Sequence, residues 1–160
     1  MNPSATALKK RIRILLVLFM IAMVVNGLTA SPAETELTWL LNHPALVPGF
    51  MKEFLENILL GLQQTNSLYP QLAYGYDWLA FAHVIIAIAF IGPYRDPVKN
   101  IWIIEWGMIS CILVPILAFI AAPIRQIPWY WTLLDCSFGV LGIIPLYFAR
   151  KWTRRLENMA

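Results

Sequence analysis

Charge is scarce in this sequence. Asp, Glu, Lys and Arg make up only 13% of its 160 residues, about half the share usual in soluble domains. So few charges cannot cover a solvated surface, which excludes a soluble enzyme and a disordered tail. Cysteine is scarcer still. Cys111 and Cys136 are the two, each inside an apolar run and without CxxC spacing, which excludes a disulfide-stapled mini-protein and argues against zinc or a thioredoxin-like site. Both read as small buried hydrophobes. His43 and His83 are the two histidines, so a haem held by two intramembrane imidazoles is excluded. No P-loop, GxSxG or HExxH motif occurs, and neither cofactor nor metal is expected.

Apolar residues are abundant, at 59%. They gather into four stretches, each near the roughly 20 residues that a membrane-crossing helix needs. The predicted spans are about 12–30, 71–92, 98–122 and 128–149, with 31–70 as an outer segment and 1–160 as a single membrane domain. Trp78, Trp102, Trp106, Trp129, Trp131 and Trp152 fall near the span ends, where amphipathic rings sit at headgroup level. The fold class expected is all-α: an integral membrane four-helix bundle with an extracytoplasmic loop containing short amphipathic helices.

Lys and Arg set the orientation. With both termini inside, Lys9, Lys10, Arg11, Arg13, Arg95, Lys99, Arg150, Lys151, Arg154 and Arg155 lie on the inner side, and only Lys52 and Arg125 on the outer. That asymmetry predicts a multi-pass protein of a bacterial inner membrane with cytoplasmic N- and C-termini. Because the basic residues flank apolar runs instead of forming a patch, the net charge of +3 points to membrane lipid, an apolar small molecule or another membrane protein as partner, and not to nucleic acid. The basic start before the first span also fits a signal peptide, with a cleavage region near Thr29-Ala30. Ser31-Pro32-Ala33-Glu34 reads as a capping box with Pro32 at the first helical position, which favours a retained span.

In the outer segment, the helix begun at Ser31 is expected to end near Asn42-His43-Pro44, with His43 as a turn residue. A second helix follows Pro48-Gly49. Its residues Phe50, Met51, Phe54, Leu55, Ile58, Leu59 and Leu62 share one face, fit for resting on lipid or closing over the bundle.

Ionisable groups within spans ask for a reason, because each costs about 2.5–3.5 kcal/mol at mid-helix on insertion scales. Glu105 is expected about one turn inside the inner boundary, within reach of water or Arg95, in a structural role. His83 and Asp135 are each about six residues, roughly 9 Å, inside their outer aromatic markers. His83 shares a face with Ala80 and Ala87, and Asp135 with Gly139 and Gly142. Such small residues permit close helix contact, so a His83–Asp135 pair is expected, with Asp77 and Arg125 nearer the surface. Asp77, His83, Arg125 and Asp135 are the candidate ligand contacts, and His83 and Asp135 the candidate catalytic pair.

The last two spans also echo each other. Pro93, Arg95, Glu105 and Pro115 recur thirty positions later as Pro123, Arg125, Asp135 and Pro145. The pattern predicts helices that start at a Pro-x-Arg turn and are perturbed mid-span by a proline.

The stretches Asp77 to His83, Ile91 to Pro97 and Asp135 to Gly139 resemble uncharacterised small multi-pass membrane proteins of bacteria over about residues 71–150, a resemblance that names no activity. In architecture alone, four spans with both termini inside and a long first loop resemble the EXPERA group, whose members bind or isomerise sterols. No motif of that group is matched residue by residue, so no catalytic role is carried over. The leading expectation is a non-enzymatic membrane module that binds a lipid-like ligand or a partner membrane protein between its helices. The alternatives are a membrane isomerase using His83 and Asp135 as acid–base groups, and a small proton-coupled carrier.

Overall fold

Long runs without Gly-Pro punctuation or polar alternation favour helix, and in apolar surroundings helix is the one local structure that satisfies its own backbone. The computed structural model describes residues 4–159, and among these no strand occurs. The helices are α1 (Ala5–Ala30), α2 (Ala33–Leu41), α3 (Gly49–Leu68), α4 (Tyr74–Ala89), α5 (Ile91–Arg95), α6 (Ile101–Ile124) and α7 (Trp129–Glu157), with 3-10 turns at Pro44–Leu46 and Pro70–Leu72. The protein is all-α. Among the described residues four segments are long and apolar enough to cross a membrane: Ala5–Thr29, Pro70–Arg95, Ile101–Ile124 and Trp129–Glu157. Their apolar side chains largely face outward. Leu117, Phe119, Ile120 and Ile124 on α6, for example, each keep more than half their surface exposed.

The described chain divides into two compact units, one running through Ile21 and resuming at Ala87, the other covering Ala22–Ile86. The first is organised by α6 and α7. Along α7, Thr132, Gly139, Leu146, Ala149, Thr153 and Leu156 are buried, a spacing that keeps one seam against a neighbouring helix. Pro115 explains the closest approach. Having no N–H, it cannot bond the carbonyl of Cys111 one turn earlier, and Gly139 presses its bare Cα against that same oxygen. A β-carbon on Gly139 would overlap the Cys111 oxygen and stand 3.0 Å from Pro115 Cδ, while one on Gly142 would stand 3.0 Å from Cys111 Sγ. Fully buried Phe90 fills the core beside this seam, with ring centroids 4.8 Å from Phe19 and 6.4 Å from Trp106. From α1, Leu8, Ile12 and Leu16 are fully buried.

The second unit joins the end of α1 to α2, α3 and the start of α4. Gly27 allows the close contact there: a β-carbon on it would lie 2.6 Å from His83 Cβ and 2.9 Å from the Ala80 carbonyl. Between α1 and α4, Asn66 Nδ2 on α3 donates to Glu34 Oε2 on α2 at 2.6 Å, and Leu55 is buried. His43 closes α2 as a turn residue, its Nδ1 2.7 Å from the Trp39 carbonyl and its ring on Trp39.

Several local expectations are corrected. Ser31 does not cap α2, whose N-cap is Pro32 without a side-chain bond. Its hydroxyl donates instead to Asp77 Oδ1 at 2.6 Å, and a carboxylate is the stronger acceptor. The second span extends over Pro70–Arg95, with one turn residue, Phe90, between α4 and α5. The fourth helix continues past Ala149 to Glu157, since nothing in Arg150 to Glu157 stops a helix. The Pro-x-Arg triplets close helices rather than open them. Pro93 and Arg95 lie in α5, while Pro123 sits in the last turn of α6 with Arg125 as its C-cap. Cationic side chains suit that end of the helix dipole.

The α6 terminus forms a Schellman motif: Ile127 N donates to Ala122 O at 2.9 Å and Gln126 N to Pro123 O at 3.3 Å, with Gln126 at φ 56°. Glycine is the usual residue at such a position. Gln126→Gly is therefore expected to raise stability by up to about 1 kcal/mol, read as a higher unfolding midpoint in detergent. Gly139→Ala is expected to lower it by about 1–3 kcal/mol through overpacking. Gly61→Ala, with nothing within 4 Å of the added carbon, serves as the reference and should not destabilise.

Candidate functional site

His83 is half-buried on α4, and its surroundings define its state. Nδ1 lies 2.8 Å from the Leu79 carbonyl, and Nε2 lies 3.3 Å from Asn26 Nδ2 on α1. A carbonyl oxygen only accepts and an amide nitrogen only donates. The two partners together therefore suit Nδ1 as a donor and Nε2 as an acceptor. Both ring nitrogens are used, and neither partner is Asp135.

Asp77, exposed in the first turn of α4, accepts the Ser31 hydroxyl. The structure places two of the four candidate residues, Asp77 and His83, in the same unit but on separate partners. They lie on one helix, each tied to the end of α1 or the residue just beyond it. The opening next to Asp77 is a hollow of about 290 Å³ walled by Tyr74, Trp78 and Phe81. Arg125 and Asp135 belong to the other unit. Arg125 is exposed at the end of α6, and Asp135 is half-buried on α7, one turn before Gly139. Among the described residues no group of three or more His, Cys, Asp or Glu could hold a metal.

Glu105 has a different partner from the one expected. Its Oε1 accepts Arg150 Nε at 2.8 Å and Arg154 Nη2 at 3.3 Å, and Arg154 also reaches Glu157 at 3.1 Å. Arg150 and Arg154 are one turn apart on α7, so both can meet a single carboxylate on α6. Because the fourth span was expected to stop at Ala149, this spacing was not read as helical. Asn26 was missed as well. The available signal was its standing as the one amide in the run from Ile14 to Ala30.

Further openings are grooves. One of about 380 Å³ lies between the end of α6 and the start of α7, beside Phe119, Ile127, Trp129 and Leu133. A larger one, about 570 Å³, runs along α1 beside Lys9, Lys10, Arg13, Ile14, Leu18 and Tyr94. Arg13 Nε donates to the Tyr94 carbonyl at 3.1 Å, and its guanidinium stands 5.3 Å from the Tyr94 ring. Arg11 stands 5.8 Å over the ring of Trp152.

Comparison of the chain with family models, with curated proteins and with solved structures finds no match in any of the three. The class rests on the fold: an all-α protein with four helices able to cross a membrane, in which α1 and α4 are bridged by an amide–imidazole pair.

The Asn26–His83 bond is expected to show in a double-mutant cycle. Asn26→Ala and His83→Ala should couple by about 0.6 kcal/mol, the average for hydrogen bonds between membrane helices. Unfolding in mixed micelles measures the cycle, and additivity would refute the bond.

Proposed function

We propose that this chain is a multi-pass module of a bacterial inner membrane that holds a lipid-like ligand against its helices and performs no chemistry on it. The observation that carries the reading is the state of His83. Both ring nitrogens are engaged within the protein, by the Leu79 carbonyl and the Asn26 amide, which favours an interhelical link over a group presented to a substrate. His83 and Asp77 act on this reading as fasteners between helices. The hollow beside Asp77 and the grooves along α1 and between α6 and α7 are the places left for a ligand, and their apolar linings suit acyl chains.

Glycine use favours lipid over a partner protein. Gly27, Gly92, Gly107, Gly139 and Gly142 all press on side chains or backbone of this same chain, so they do not form a small-residue stripe for another helix. The orientation proposed has both termini in the cytoplasm. The ten-to-two division of Lys and Arg supports it. So do the Arg11–Trp152 and Arg13–Tyr94 contacts, which set two arginines of α1 against aromatic residues that adjoin Lys151 and Arg95 in the sequence.

Two measurements test the reading. Mass spectrometry of the protein purified in mild detergent should find a lipid or sterol-like molecule retained in repeated preparations, and its absence would count against a tight-binding module. Cysteine reagents applied outside intact cells should label a cysteine placed at Leu46 but not one placed at Ser4. The reverse pattern would overturn the orientation.

A further inference from the structure

The groove along α1 has the anatomy of an amphiphile site. The first acidic residue of the chain is Glu34, so Lys9, Lys10 and Arg13 have no carboxylate on their own helix. Four cations elsewhere do have carboxylate partners: Arg150 and Arg154 share Glu105, Lys99 meets Asp96 and Lys52 meets Glu56. Arg13 is held in place nonetheless. Its Nε is spent on the Tyr94 carbonyl and its plane lies near the Tyr94 ring, a hold that leaves both terminal nitrogens of the guanidinium as donors. A fixed fork of this kind suits the oxygens of a phosphate. Immediately beyond it, Ile14, Leu18 and Ile21 form an exposed apolar strip on α1, about 10 Å long at the helical rise.

We infer that this groove binds an anionic glycerophospholipid, with its headgroup phosphate on Arg13, Lys10 and Lys9 and an acyl chain along Ile14, Leu18 and Ile21. The inference rests on the lipid-binding reading above and deepens it by naming the lipid class and the place. A phosphate alone would satisfy the cations but leave the strip bare. A zwitterionic lipid would fill the strip but carry its own cation to a site already rich in them. The anionic phospholipid satisfies both ends.

The test is native mass spectrometry of the full chain in detergent, titrated with dioleoylphosphatidylglycerol or with dioleoylphosphatidylcholine. The anionic lipid is expected to form a one-to-one adduct at roughly tenfold lower concentration. Arg13→Gln and Lys10→Gln should each weaken it about fivefold, the worth of one basic side chain near an anionic surface. The Lys99→Gln/Lys151→Gln double variant changes two charges outside the groove and should leave the affinity unaltered. Inorganic phosphate at millimolar concentration should not displace the lipid. Should Arg13→Gln fail to fold, Lys9→Gln/Lys10→Gln carries the same test from exposed positions.

Equal binding of the two lipids, an equal loss in the control variant, or displacement by phosphate would each overturn the assignment. Equal binding would leave the broader lipid-binding reading standing. Absence of any lipid adduct would remove both.

Discussion

A polar group surrounded by apolar atoms has no water to turn to, so it must find its partner inside the protein or remain costly. Several side-chain contacts answer that need, although the buried Thr153 hydroxyl finds no partner among the described residues. The His83 imidazole is closed by Asn26 and Leu79, the Asp77 carboxylate takes the Ser31 hydroxyl, and the Glu105 carboxylate takes two arginines. Sterics act beside this: where Pro115 leaves the Cys111 carbonyl without its helical donor, only a bare glycine of α7 fits over the oxygen.

Close helix approach and polar pairing depend on one another. Gly27 lets α1 settle against α4, and the neighbouring residue Asn26 is the one that reaches His83. Without the small residue the helices would stand apart by the width of a side chain, and an amide at that distance could not donate. The same logic holds in the other unit, where Gly139 and Gly142 seat α7 on Cys111 and Pro115 of α6. Short side chains create the contact, and the polar ones select which helices make it.

Much of the fold was legible in the residue pattern. Helix class, the four long apolar segments, the break near Asn42-His43-Pro44 and the helix after Pro48-Gly49 all follow from apolar runs and proline punctuation, which act over a few residues. The candidate site was less legible. Asp77 and His83 stood out because charge and imidazole are rare in apolar runs, but their partners, Ser31 and Asn26, are common polar residues without a signature. Arg150 and Arg154 were read only as inner-side basic residues beyond the fourth span, because nothing local reveals that a helix carries on beyond its apolar stretch. Ser31 shows the limit most clearly. Its sequence context fits a helix cap, yet a carboxylate 46 residues away wins the hydroxyl.

The residue order alone determined that the chain is helical, that its apolar lengths match a membrane, and that its cations divide unevenly between the ends of those lengths. These properties depend on composition and period, which are local. Which polar groups meet was decided only by the tertiary structure. The Asn26–His83, Ser31–Asp77 and Glu105–Arg150 contacts each need a distance, a helix rotation and a helix end to be right at once, and those quantities exist only after the helices have packed.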